Sequence, residues 1–308
     1  MNYFLKKSTG PLVIAGIVLL APIVFTAIEM NDYEISDVSL SNKTVVAEVL
    51  SNGDLLLNQQ KRIETSEYHG FEQIVYFTAD DDDQTLDHNT VLDPSTVTLN
   101  LKNEASGLNI TATSTAQYES GSNLIQFGWL PGAKTNNSWE SFPWYDNDSE
   151  VIFAYLGEGL YPYTDMTLGY KIKGAAIRYA DTAELNWTLA DTEYMKNTNV
   201  DVTLLLPTGI ASVDDVYAVT NGSNQGRIKS ITMNDNNQIE IHVTANRLYP
   251  GERIQVRALF PAEVLSGVNA STPYGNYYPT MNHFDQSKAY AEAALQSLKI
   301  YEAANWIS

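Results

Sequence analysis

The chain has 308 residues, no cysteine, and 37 acidic against 18 basic side chains, a formal charge of −19 at pH 7. The missing cysteine excludes disulfides, thiolate metal sites and thiol nucleophiles. A surface this acidic repels phosphate backbones and gains nothing from anionic lipid, so nucleic acid is excluded as a partner.

The first element is apolar. Pro11 to Ile28 carries no charge, Lys6 and Lys7 precede it, and Glu29, Asp32 and Glu34 follow. As a helix this run would be about 27 Å long, close to the roughly 30 Å hydrocarbon core of a bilayer. The basic flank belongs on the cytoplasmic side. Residues 1–30 therefore read as a signal or membrane anchor, with 12–28 helical and embedded, and the bulk of the chain extracellular at the cell membrane. Cleavage stays open as an alternative, although Phe25-Thr26-Ala27 puts a bulky ring where a signal peptidase prefers a small residue.

The pattern then turns to period two, as in half-buried strands. Tyr33–Leu40 alternates with one slip at Ser36-Asp37, and Asn52-Gly53-Asp54 marks a tight turn between Val45–Leu50 and Leu55–Asn58. Further strands are predicted over Ile74–Phe77, Thr96–Leu101, Leu108–Thr115, Leu124–Trp129 and Val151–Leu156. Asp80–Asp83 makes a charged loop, and 131–150 a long one rich in Pro, Gly, Asn and Ser. After Gly157-Glu158-Gly159 a second series begins: Met166–Ile172, Ala175–Tyr179, Glu184–Leu189, Val200–Leu206, Val216–Val219, Arg227–Met233, Ile239–Val243 and Arg253–Phe260. In the Glu184–Leu189 strand, period two puts Leu185, Trp187 and Leu189 on one core face. Ser271–Met281 reads as irregular. From Asp285, placed as N-cap, good helix formers predict a helix with an apolar stripe at Ala291, Ala294, Leu295, Leu298 and Tyr301.

Short strands punctuated by turns argue an all-β fold of two sandwich-like domains, the second immunoglobulin-like, flanked by an N-terminal and a C-terminal helix. The expected divisions are a first β-rich domain over 31–160, a second sandwich over 161–265, and an irregular segment with the C-terminal helix over 266–308.

The stretch from Tyr170 to Pro207 carries a motif. Tyr179, Asp181, Glu184, Leu185, Trp187 and Leu206-Pro207 match a Y-x-D-x-x-E-L-x-W strand followed by a strand ending in L-P. Leu248-Tyr249-Pro250-Gly251-Glu252, with Phe260-Pro261 beyond it, matches L-x-P-G-E…F-P, and Asn52-Gly53-Asp54-Leu55 fits a first-hairpin segment. On these residues the chain resembles domain-of-unknown-function family 2207, predicted bacterial membrane proteins. The resemblance implies a signal or anchor, an extracellular β-rich region, and a helix at Tyr301–Asn305 like the one preceding the family's second membrane segment. It implies no activity and supplies no catalytic residues.

Chemistry-bearing patterns are sparse. His69, His88, His242 and His283 form no metal spacing, and neither G-x-S-x-G nor a phosphate loop occurs. Asp80, Asp81, Asp82 and Asp83 are the candidate metal ligands, and Ca²⁺ is the ion such oxygen-rich loops take. The competing reading is a solvated charge run needing no cofactor. Asp181 and Glu184, three apart, would face opposite sides of a strand, unlike the paired carboxylates of a glycosidase. Trp139, Phe142, Trp144 and Tyr145 are the candidate ligand-binding residues, since exposed loop aromatics suit recognition. The alternative is that these rings close a sandwich end. The leading function is a membrane-tethered extracellular module that binds a protein or glycan at the cell surface, more binder than enzyme. The alternatives are a carbohydrate-active or glycan-binding protein and a structural subunit of a surface assembly.

Overall fold

The computed structural model describes residues 39–64, 70–76, 90–113, 125–130, 149–156, 163–191, 196–221, 226–248, 252–270 and 282–305. The membrane helix expected over 12–28 lies outside them. Among the described residues no helix is long and apolar enough to cross a membrane.

Hydrogen bonding groups the described strands into three sheets. The largest contains β1 (Ser39–Val49), β2 (Leu55–Ile63), β4 (Val91–Asn103), β5 (Leu108–Thr113), β8 (Thr164–Lys173), β11 (Lys196–Leu205), β13 (Arg227–Met233) and β14 (Ile239–Ala245). Its order is β13-β14-β11-β1-β2-β8-β4-β5. All its neighbours are antiparallel except β1 and β11. A four-stranded sheet runs β12 (Tyr217–Asn221), β15 (Arg253–Phe260), β10 (Ala183–Asp191), β9 (Ala176–Arg178). A three-stranded one runs β3 (Gly70–Tyr76), β7 (Ser149–Leu156), β6 (Ile125–Leu130). Among the described residues one α-helix, α1, spans His283–Asn305.

Residue chemistry explains the elements. In β2 the alternation Leu55, Leu57, Gln59, Lys61, Ile63 is buried and the residues between are exposed. β8 repeats the pattern. Pro94, which has no N–H for a ladder, sits where the β4–β8 register shifts between Asp93 and Thr98, a bulge that tolerates proline. At the Asn52–Asp54 turn Gly53 has φ +84°, and Ala176 N–H donates to its carbonyl at 2.8 Å. A Cβ there would lie 2.9 Å from the Ala176 oxygen, so both backbone conformation and crowding require glycine.

One hydrophobic core draws on the two larger sheets: Val45, Leu57, Leu168, Val202 and Ile241 from one, Leu185, Trp187, Val256 and Phe260 from the other. Leu185, Trp187 and Leu189 are buried, as their spacing predicts, and so is Leu206. Lys43, fully buried, joins the sheets: its Nζ donates to the Asp191 carbonyl at 2.8 Å and to its carboxylate at 2.9 Å.

Two expectations change in the folded chain. The boundary placed near residue 160 runs through the eight-stranded sheet, where β1 and β2 of the first half lie between β11 and β8 of the second. Val38–Ser308 forms one compact unit. The immunoglobulin-like order is also not present. From β9 onward seven strands divide four and three, as in a constant-type immunoglobulin domain, with β9, β10, β15 and β12 on one side and β11, β14 and β13 on the other. The fifth and seventh strands have exchanged places relative to that fold. Alternating burial fixes which face of a strand is inside, but not which neighbour it pairs with.

Candidate functional site

β10 and β15 break the alternation: nearly every residue of each is buried. The face of β10 carrying Leu185, Trp187 and Leu189 meets the core, and the opposite face carries Glu184 and Asn186. On that second face a socket holds the start of α1.

The socket begins at the β9–β10 turn. Tyr179 N–H donates to Thr182 O at 2.7 Å, and the buried Thr182 hydroxyl donates to Phe260 O at 3.0 Å, locking the turn to β15. Asp181 lies in this turn rather than on a strand, so both Asp181 and Glu184 reach the same helix, contrary to the opposite sides expected from their spacing. Asp181 Oδ2 accepts the Phe284 N–H at 2.9 Å. Asn282, not Asp285, caps the helix: its Oδ1 accepts the Asp285 N–H at 2.8 Å and its carbonyl the Gln286 N–H at 3.1 Å. Two of the four N–H groups orphaned at a helix start, those of Phe284 and Asp285, are thereby satisfied, and the Gln286 bond is the first of the helix itself.

Glu184 occupies the centre. Its Oε2 lies 2.7 Å from His283 Nε2, and its Oε1 accepts the Ser287 hydroxyl at 3.1 Å and lies 3.3 Å from Arg257 Nε. All four residues are buried. Tyr179 stacks on the His283 imidazole, ring centroids 3.4 Å apart, and the Arg257 guanidinium lies 5.0 Å from the centre of the Tyr290 ring. His283 and Ser287, one turn apart, present their side chains on the same side of α1. Farther along, Lys288 Nζ lies 5.1 Å from the centre of the Tyr217 ring. Burial, and then the charge of Glu292, push the Tyr217 hydroxyl above its ordinary range against the opposing Arg257.

A serine, a histidine and a glutamate in one cluster invite comparison with a hydrolase triad, but the bonding differs. A triad needs the serine on the imidazole and the carboxylate behind it. Here Ser287 and His283 both bond to Glu184, and all three are shut from solvent. The arrangement spends its polar groups on fastening the helix.

A second polar network supports the first hairpin. Asp54 Oδ1 accepts the Gly174 N–H at 3.1 Å, and Lys171 Nζ lies between Asp54 at 3.6 Å and Asp93 at 3.4 Å. Ser95 donates to Asp93 at 2.6 Å, and Lys173 pairs with it at 3.0 Å. The Ser95 hydrogen bond, then the two lysines, hold the Asp93 carboxyl well below the usual carboxylate range. Among the described residues no group of three or more acidic, histidine or cysteine side chains could hold a metal. Asp80–Asp83, Trp139, Phe142, Trp144 and Tyr145 lie outside the described residues.

The sequence signalled Tyr179, Asp181 and Glu184 through their motif but gave no role to Arg257, His283 or Ser287. Polar residues on the outward face of an otherwise apolar strand were the available sign that something covers that face.

Strands and socket together define a β-rich domain with a helix fastened to its four-stranded sheet. The chain belongs to the family described as "Predicted membrane protein (DUF2207) N-terminal domain", whose model matches residues 39–260. Tyr179, Asp181, Glu184 and Arg257 fall inside the match, and His283 and Ser287 beyond it. No curated protein matches the chain. Among solved structures, a crystal structure described as a "putative protease" from Parabacteroides distasonis aligns with TM-score 0.40 and 12% identity, over 73% of this chain and 40% of that one. A likeness at that level carries no argument about activity.

Proposed function

We propose that the chain is the extracellular module of a membrane protein, one that binds a protein or glycan at the cell surface rather than catalysing a reaction, and that the socket couples its β body to α1. The observation that carries this reading is the Glu184 carboxylate, buried and engaged by Arg257, His283 and Ser287, which leaves the most enzyme-like cluster described with structural work only. The family description and the charge asymmetry from Lys6-Lys7 to Glu29 support attachment with the bulk outside. The aromatic residues Trp139, Phe142, Trp144 and Tyr145 are the proposed contact with the partner, on the strength of their composition.

Protease added to intact cells should remove the β body. Cleavage only after lysis would overturn the topology. A fluorophosphonate probe, which labels activated serines, should leave Ser287 unmodified in the folded chain. Labelling that disappears in Ser287→Ala would restore the enzyme reading.

A further inference from the structure

Among the described residues the eight-stranded sheet ends at two edge strands, and they differ. β13 carries exposed Arg227 and Lys229, and its register with β14 shifts between Ile228 and Ser230. Charge and irregularity are the devices that keep an edge from pairing with another chain. β5, at the other edge, reads Leu-Asn-Ile-Thr-Ala-Thr, with no charge and no proline, and pairs with β4 without a shift. The neighbouring outer surface carries no net charge: Thr98, Asn100, Asn109 and Thr111 are exposed and uncharged, Thr111 donates to Asn100 at 2.8 Å, and exposed Lys102, opposite Asn109, is paired with Glu104 at 3.1 Å.

We propose that β5 is an assembly edge, pairing antiparallel with β5 of a second copy of this chain about a two-fold axis perpendicular to the sheet. The backbone N–H and C=O groups of an edge strand are self-complementary. Two chains of charge −19 repel each other, so their contact belongs where each is locally neutral. Such an axis keeps each face of one sheet continuous with the same face of the other, and directly opposed residues share a face. Only registers centred on a residue satisfy both conditions. Centring on Ile110 opposes Asn109 to Thr111 of the second copy, and centring on Thr111 opposes Thr111 to itself. A one-residue slip would turn one copy's core face to solvent.

A six-residue edge buries less than the roughly 1,200–2,000 Å² of a stable interface. The pairing is therefore weak in free solution and gains from confinement, a point that rests on the membrane attachment proposed above.

The absence of cysteine makes the test clean. Asn109→Cys/Thr111→Cys on the full chain puts thiols at exposed positions that oppose each other in either register, with Cα atoms about 4.5–5.5 Å apart and inside disulfide reach. Oxidised in membranes, this variant should give covalent dimer in at least about tenfold excess over Lys229→Cys on the guarded edge. A chain that sediments with membranes yet dimerises no more than Lys229→Cys overturns the edge proposal alone. If the chain does not sediment with membranes, the attachment reading fails. Oxidation of the concentrated protein in solution then decides the edge, and no excess over Lys229→Cys there overturns it too.

Discussion

Buried charges make the molecule sensitive to single substitutions. Lys43 has no exposed side-chain surface, and its partner Asp191 has little. Lys43→Met would remove the buried ammonium from the Asp191 carboxylate, and breaking a buried ion pair costs about 3–5 kcal/mol where measured in other proteins. The urea midpoint should fall accordingly, and a midpoint close to the parent's would mean water reaches the pair. Asp93 acts through pH. Its folded-state pKa is depressed, so its contribution is present above the unfolded value near 3.9 and is lost as pH falls toward the folded value. The parent should therefore lose stability below about pH 4 more steeply than Asp93→Asn, which is weaker at neutral pH and lacks this titration. Parallel curves from pH 7 to pH 2 would rule out the Ser95 and lysine contacts as the cause.

At the scale of elements, the socket makes the order of α1 depend on β10. Glu184→Ala removes the acceptor of His283 and Ser287 and the carboxylate beside the buried Arg257. Amide exchange should quicken in the first two turns of α1 while the amides pairing β1 with β2 keep their protection. Equal acceleration in both places would show that Glu184 supports the whole body rather than the helix. The strands themselves were legible because each buries one face. Period two located β2, β8 and the core position of Trp187, and the run of helix formers located α1 to within three residues of its start. The socket was not legible, because it gathers Asp181, Glu184, Arg257, His283 and Ser287 from three segments up to about a hundred residues apart. Strand periodicity also misled at Asp181, where a turn, not a pleat, sets the direction of the side chain. The Asn-Gly-Asp turn shows the converse: a local signal with a local cause. Gly53→Ala would force a left-handed backbone and a 2.9 Å approach to Ala176 O, and should lower stability by about 1–3 kcal/mol by thermal or urea unfolding.

The whole molecule is held together by the placement of its first two strands. β1 pairs with β11 over nine registered positions and with β2 on its other side, and β2 passes the sheet on to β8. Taking β1 and β2 away would separate β11 from β8 and expose Val45, Ala47, Leu55 and Leu57 contacts that the shared core now buries. It would also leave Asp191 without Lys43. A piece containing only residues 161–265, an independent sandwich if the boundary near 160 were real, should therefore not fold. A piece beginning at residue 38 should unfold in a single cooperative transition, because both larger sheets share one core. Tryptophan fluorescence and far-ultraviolet circular dichroism should give coincident midpoints for that longer piece. Trp187→Ala, which empties a core position common to both sheets, should lower both midpoints together by the equivalent of about 3–5 kcal/mol. Two separated transitions, or a folded 161–265 piece with a sharp unfolding curve, would instead show that the parallel β1–β11 pairing is an association between two finished domains and not the seam through which one core forms.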